Sequence, residues 1–276
     1  MKTFLRAFLS TVILGSAAAH AGPAVLATVH PLALVAASIT PTQELQVLVP
    51  TGMTPHDFSL RPSDVDKVQS ADVIFWAGEE AEPYLAGFVH RWPDKVWIDV
   101  ASLAADDEVH DHAEHGHHDP HWWLDPLTIM SAQAELARAL DKDPKPFADA
   151  LQAQIESSYQ QLTGVQQRGF FVFHRAYDHW VELMKLKQMG SFTLSPEQKP
   201  GLKTLQAMRQ QLAAGDVVCV FSEPEFSPAL IDSMVRGLDI ARGELDPMAA
   251  HIRLSEDGYL VFLQDLTERF VRCLSE

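Results

Sequence analysis

Short apolar runs alternate with amphipathic stretches along the first half of the chain. The apolar runs predict strands, and the stretches between them predict helices. This alternation is typical of βα units that form a mainly parallel sheet with helices on its faces. The predicted strands are 24–29, 45–49, 73–76 and 96–100, and the predicted helices are 32–39, 63–69 and 80–89.

The second half of the chain repeats the same alternation. Its predicted strands are 170–173, 186–189 and 217–221, and its predicted helices are 176–185, 202–213, 228–236 and 257–274. The pattern therefore predicts two α/β lobes, each with a mainly parallel sheet flanked by helices.

A longer apolar stripe lies between the two halves. Pro146 suits a first helical turn, and apolar side chains then recur every three or four residues over more than four turns. The stripe consists of Phe147, Leu151, Ile155, Tyr159 and Leu162. It predicts one long helix, which either joins the two lobes as a strut or is an ordinary helix within one domain.

The first 21 residues have the three parts of a secretory signal peptide. Lys2 and Arg6 supply positive charge, 7–18 is an apolar stretch too short to span a bilayer, and Ala19-His20-Ala21 fits a cleavage site. The alternative is an N-terminal core helix. We expect export with cleavage after Ala21 and no membrane insertion, because no later segment approaches the ~20 apolar residues of a membrane helix.

The net charge of −16 narrows the possible partners. An acidic chain is a poor candidate for binding nucleic acid or anionic lipid, and it attracts small cations. Many exported proteins are acidic only for solubility, so the charge alone assigns no ligand.

Two cysteines, Cys219 and Cys273, follow the predicted cleavage site. In an oxidising compartment an even pair favours a disulfide. The alternative is a pair of buried thiols, because the sequence does not show that their Cα atoms approach each other. A structural role is expected in both cases.

One biased segment, 106–119, combines histidines with Asp, Glu and Gly and has no apolar periodicity. It cannot contribute to a core, so we expect a surface loop. Its imidazoles would bind Zn²⁺, Cu²⁺ or Ni²⁺ loosely and with little discrimination. The loop histidines are His110, His112, His115, His117 and His118.

The elements and segments together predict four regions. They are a signal peptide over 1–21, an N-terminal lobe over 22–125 that includes the His-rich loop, a helical connection over 126–167, and a C-terminal lobe over 168–276.

Three further histidines lie at predicted strand ends or in the loops after strands, where α/β sheets bind ligands. They are His56, His121 and His174. Three neutral imidazoles are a common ligand set for zinc. Taken singly, each is more often a surface residue or a hydrogen-bonded core residue, and their separations cannot be derived from the sequence.

The residues around these histidines resemble the ZnuA-type zinc-binding components of ABC importers. The resemblance covers essentially the whole chain after residue 21, in order, and includes the acidic His-rich loop and the cysteine pair. The motifs that carry it are Thr51–Asp64, His121–Pro126, Phe171–Tyr177, Val220–Phe226 and Gly243–Met248.

The resemblance implies that His56, His121 and His174 bind Zn²⁺. Asp246, from the C-terminal lobe, or a water molecule would fill the fourth position. Some relatives have a metal-binding glutamate immediately before the first histidine, but this chain has Pro55 there. Two weaker candidates for a place near the site are Glu223 and His30.

The resemblance also implies a periplasmic chain whose partners are an importer permease and its cytoplasmic ATPase. We expect the chain to be a monomer. Manganese-type relatives have a carboxylate where this chain has His174, and an imidazole there suits zinc better than manganese.

Two other classes of protein compete with a zinc carrier. An exported zinc hydrolase also needs three ligands and a water molecule, but the chain lacks a His-Glu-x-x-His or Gly-x-Ser-x-Gly motif. A metal-buffering or adhesive surface protein is disfavoured by the lack of surface-anchor signals. We therefore expect a binding protein rather than an enzyme.

Overall fold

The computed structural model describes residues 22–104, 119–194 and 200–276. The predicted signal peptide and the five loop histidines lie outside these ranges. Within the described part of the chain, no helix is both long enough and apolar enough to cross a membrane.

The N-terminal lobe contains one four-stranded parallel sheet in the order β2-β1-β3-β4. Val25 of the central strand β1 pairs with Leu45 on one side and Val73 on the other. The strands are β1 (Val25–Ala27), β2 (Leu45–Val47), β3 (Val73–Trp76) and β4 (Val96–Asp99), and the helices are α1 (His30–Ala36), α2 (Pro62–Ser70) and α3 (Ala86–Arg91).

The C-terminal lobe repeats this arrangement, with a parallel sheet in the order β6-β5-β7-β8. Its strands are β5 (Gly169–His174), β6 (Lys187–Thr193), β7 (Val217–Ser222) and β8 (Ala241–Glu244), and its helices are α6 (Asp178–Leu183), α7 (Leu202–Ala213), α8 (Ala229–Val235) and α9 (Gly258–Leu274). The predicted class of two α/β lobes with parallel sheets is confirmed.

Two helices connect the sheets in chain order: α4 (Pro126–Ala139) and α5 (Lys145–Leu162). Asp125 caps α4 by accepting hydrogen bonds from the N–H groups of Leu127 and Thr128. The long helix is confirmed as α5. Most of its apolar stripe is buried, and the helix packs against α9 of the C-terminal lobe. The exact division into four regions stays a prediction.

A disulfide joins Cys219 of β7 to Cys273 of α9, which are 54 positions apart in the sequence. Both cysteines are buried, so the bond ties the central part of the C-terminal sheet to the last helix. The predicted disulfide is therefore confirmed over the alternative of two thiols.

Several element bounds differ from the sequence-based prediction, and α3 and β8 show the physical reasons. Helix α3 begins at Ala86 rather than at residue 80, because Pro83 lies in the preceding turns and suits a helix interior poorly. Strand β8 was not predicted, because Ala241–Glu244 is polar and only half-buried at the sheet edge.

Candidate metal site

Each of the three isolated histidines follows or ends a strand. His56 lies in the loop after β2, where Gly52 adopts a positive φ of 84° that a non-glycine residue rarely tolerates. His121 directly precedes a short 3₁₀ turn over Trp122–Leu124. His174 is the last residue of β5, so the sheet itself fixes its backbone.

The three imidazoles meet at their Nε2 atoms. His121 Nε2 lies 3.1 Å from His56 Nε2 and 3.2 Å from His174 Nε2. Three nitrogens around tetrahedral zinc, each at about 2.0–2.1 Å, would lie roughly 3.3 Å apart. One ligand atom from each histidine lies within 4.8 Å of the others, which is the separation expected of residues that hold one metal ion.

Two buried carboxylates fix the orientation of two of these rings. The Nδ1–H of His121 donates to Asp119 Oδ1 at 2.6 Å, and the Nδ1–H of His174 donates to Glu223 at 2.7 Å. In a neutral imidazole this tautomer places the lone pair on Nε2, the atom that faces the centre of the cluster. The four side chains are almost fully buried.

The carboxyl of Asp119 keeps its negative charge despite its burial. Burial acts to raise its pKa, but the charge of His121 and the hydrogen bond from its ring outweigh this effect and lower the pKa to about 2. The site therefore places a buried negative charge behind the ring of His121, which favours a divalent cation.

Asp246 lies outside the histidine cluster. In the described part of the chain, only the three histidines form a group of three or more potential ligands within 4.8 Å of one another. The Asp246 carboxylate accepts hydrogen bonds from the N–H groups of Met248 at 2.9 Å and Ala250 at 2.7 Å. These bonds hold the carboxylate within its own loop.

Asp246 also lines a cavity of about 400 Å³ between the two lobes. Gly52, from the loop that carries His56, contributes to the cavity, and so does Glu225, which follows β7. Burial, followed by the charge of Asp246, raises the pKa of Glu225 to about 7, while His174 acts to lower it. Glu225 therefore interacts electrostatically with the histidine cluster.

Sequence reasoning found the three histidines and missed Asp119 as a functional residue. The available signal was a carboxylate two residues before a candidate ligand, which is close enough to reach the Nδ1 of the same ring. Glu223 was a weaker sequence candidate for a place near the site, and its carboxylate accepts a hydrogen bond from the His174 ring. His30 is buried at the start of α1, where its Nε2–H donates to the carbonyl of Ile252.

Two parallel sheets whose strand ends and loops gather three imidazoles define a two-lobed solute-binding protein. Solved structures share this fold: the laminin-binding protein Lmb of Streptococcus agalactiae has a TM-score of 0.78 and 20% identity, with 92% of this chain and 100% of that chain covered. The solute-binding protein FpvC of Pseudomonas aeruginosa, in complex with Mn²⁺, has a TM-score of 0.74 and 19% identity, with 91% and 97% covered.

Sequence comparison identifies the family. The pattern of the family described as "Zinc-uptake complex component A periplasmic" (ZnuA) matches residues 25–273. A high-affinity zinc uptake system protein ZnuA from Yersinia pestis is 34% identical over 308 aligned positions, which cover 96% of this chain and 95% of that protein. The chain belongs to the ZnuA family, whose members are solute-binding components of zinc uptake systems rather than enzymes.

Proposed function

We propose that this chain captures one Zn²⁺ between its lobes through His56, His121 and His174 and delivers it to an ABC importer. The observation that carries the proposal is the convergence of three Nε2 atoms, two of them with Nδ1 held by a buried carboxylate. The ion is the cargo of the protein, so the site must bind it tightly and also release it.

The donor set favours zinc over manganese. Imidazole nitrogen suits Zn²⁺, whereas Mn²⁺ prefers a set dominated by oxygen. The fold alone does not select the metal, because FpvC shares it and was solved with Mn²⁺. The choice of zinc therefore depends on the residues of the site, and His174 is the position that separates this chain from its manganese-type relatives.

A water molecule is the better candidate for the fourth ligand. Both oxygens of Asp246 already accept backbone N–H bonds, and a move toward the histidines would break these bonds. The alternative of Asp246 itself requires this loop to rearrange when zinc binds.

The proposed place of action is the periplasm. It depends on the signal-peptide pattern over 1–21, with cleavage after Ala21, and on the membership of the ZnuA family. The partners would be an inner-membrane permease and the cytoplasmic ATPase that drives it. The −16 net charge would help to attract the cation.

Replacing each ligand tests the site. His56→Ala, His121→Ala and His174→Ala should each weaken zinc binding by more than about 100-fold, since loss of an outer contact alone typically costs about 10–100-fold. Competition titration against a chromophoric zinc chelator measures this change. His90→Ala is the matched control, because His90 is an exposed histidine on α3.

The control should bind zinc as the unmodified chain does. A ligand variant that stays within a few-fold of the unmodified chain would refute the assignment of that residue. For delivery, cells that lack the chain should regain uptake of radioactive zinc with the wild-type protein and not with the His121→Ala variant.

A further inference from the structure

Asp119 contacts two parts of the molecule at once. Its Oδ1 accepts hydrogen bonds from the backbone N–H of His121 at 3.0 Å and from the ring Nδ1–H of His121 at 2.6 Å. Its Oδ2 accepts the backbone N–H of Asp178 at 3.0 Å. Asp178 is the first residue of α6 and lies four positions after His174. The buried carboxylate of Asp119 thus joins His121 to the segment that follows His174.

The segment around His121 is also bound to the C-terminal lobe at other points. The Nε2–H of His179 donates to the carbonyl of Asp119 at 2.8 Å, and the ring of His179 stacks on Trp122. The indole N–H of Trp123 donates to the carbonyl of Pro247 at 2.8 Å. His121 is therefore held against the lobe that carries His174.

We propose that Asp119 is a positioning residue of the metal site, which sets the orientation of His121 and its separation from His174. The proposal rests on the proposed zinc-binding function and adds a role that the three histidines do not supply. One oxygen selects the ring tautomer, and the other fixes the ligand relative to the C-terminal lobe. The 3.2 Å separation of the two Nε2 atoms is the result.

The isosteric variant Asp119→Asn removes one half of this arrangement. An amide has a single acceptor oxygen, and its NH₂ group cannot accept a hydrogen bond. The NH₂ group of the asparagine then faces either the Nδ1–H of His121 or the N–H of Asp178. Whichever of these buried donors it faces loses its acceptor. The shape of the side chain is retained, which separates the chemistry of the carboxylate from its packing.

Zinc affinity of the full chain should fall about 10–100-fold in Asp119→Asn, the usual cost of losing such a partner. Two further measurements report directly on the contacts. Nitrogen NMR of the metal-free protein should show His121 with its proton on Nδ1 in the wild type. Hydrogen exchange of the Asp178 amide should be slow in the wild type. In the variant, either this exchange becomes at least about tenfold faster or the His121 proton leaves Nδ1, according to which of the two donors the amide NH₂ faces.

One control separates this role from simple destabilisation. Asp125→Ala removes the side chain that caps α4. It should keep zinc affinity within about threefold of wild type even where Tm falls, since it does not touch the carboxylate of Asp119.

The outcomes are distinct. If the wild-type chain does not bind zinc tightly, the proposed function fails. If the wild type binds and Asp119→Asn binds equally well, or if Asp125→Ala loses as much affinity as Asp119→Asn, the positioning role is overturned. A His121 proton on Nε2 in the wild type overturns it as well, even if the variant does not fold.

Discussion

Glu82 is a fully buried carboxyl in the N-terminal lobe. Its Oε2 accepts hydrogen bonds from the Thr28 hydroxyl at 2.5 Å and the Ala77 N–H at 2.8 Å, and its Oε1 accepts one from the Tyr84 hydroxyl at 2.8 Å. Thr28 follows β1 and Ala77 follows β3, so Glu82 joins the ends of the two central strands. All three donors are neutral groups.

Burial raises the pKa of Glu82 from 4.5 to about 7, against the opposing effect of its hydrogen bonds. Below pH 4.5 the carboxyl is neutral in both the folded and the unfolded chain. As the pH rises toward 7 the unfolded chain loses its proton first, so the free energy of unfolding falls. This fall is complete above pH 7 and amounts to about 3 kcal/mol.

Glu82→Gln cannot ionise and should not show this fall. At pH 4.5 the variant should be about 1 kcal/mol less stable than wild type, because an amide has one acceptor oxygen in place of two. At pH 8 it should be about 2 kcal/mol more stable, since the buried charge is gone.

Urea unfolding of the zinc-free chain at both pH values, followed by tryptophan fluorescence, measures the difference between variant and wild type. The histidines are common to both chains, so their titration cancels in this comparison. Glu80→Gln is the control, because Glu80 is exposed. A difference that does not change between pH 4.5 and pH 8 would refute the reasoning.

Three further predictions concern the metal and the disulfide. Zinc affinity should fall steeply below about pH 6, because an imidazole with a pKa of ~6.5 must lose its proton to bind metal. A chelator titration that shows flat affinity from pH 7.5 to 5 would exclude a histidine site. Calorimetry of a chain without 106–118 should still show one tight zinc site and lose only the weakly bound additional ions, since a loop pays ordering entropy when it binds. Loss of the tight site would mean that this segment supplies a ligand. Replacing Cys219 and Cys273 together by Ala should lower the free energy of unfolding by about 4 kcal/mol, the expected effect for a closed loop of this length. Zinc affinity should not change. A folded variant with weakened zinc binding would contradict the purely structural role of the disulfide.

Much of the fold could be predicted because buried parallel strands are apolar along their whole length. β3 and β5 are buried at every position, and their sequences stand out as apolar runs, of which the one in β5 extends up to the final His174. β8 could not be predicted, because a short, half-exposed edge strand with the sequence Ala-Arg-Gly-Glu has no such pattern. Its place depends on pairing with β7, which is a contact between distant parts of the chain.

The three histidines of the candidate site could be predicted from the sequence, but the contacts of the two carboxylates that hold their rings could not. His56, His121 and His174 were found by their positions after strands and by their motifs. The bond from the His174 ring to Glu223 joins residues 49 positions apart, and the bond from Asp178 to Asp119 joins residues 59 positions apart. No local pattern reports such distant contacts, so they emerge only from the folded chain. The local signal was limited to the spacing of two residues between Asp119 and His121 and to the motif that contains Glu223.

The two lobes use the same arrangement of a carboxylate and a strand end for different purposes. In each lobe a glutamate that follows the third strand of the chain order reaches back to the end of the first strand: Glu82 binds the Thr28 hydroxyl, and Glu223 binds the His174 ring. Both pairs lie between the first and the third strand of their lobe, where the strand order reverses. Such a point is the usual ligand-binding place of parallel α/β sheets. A hydroxyl at this position completes a closed hydrogen-bond network, whereas an imidazole presents a second nitrogen to the cleft. Under the proposed function, the residue at the end of the first strand or directly after it decides whether this edge stabilises the lobe or binds a metal.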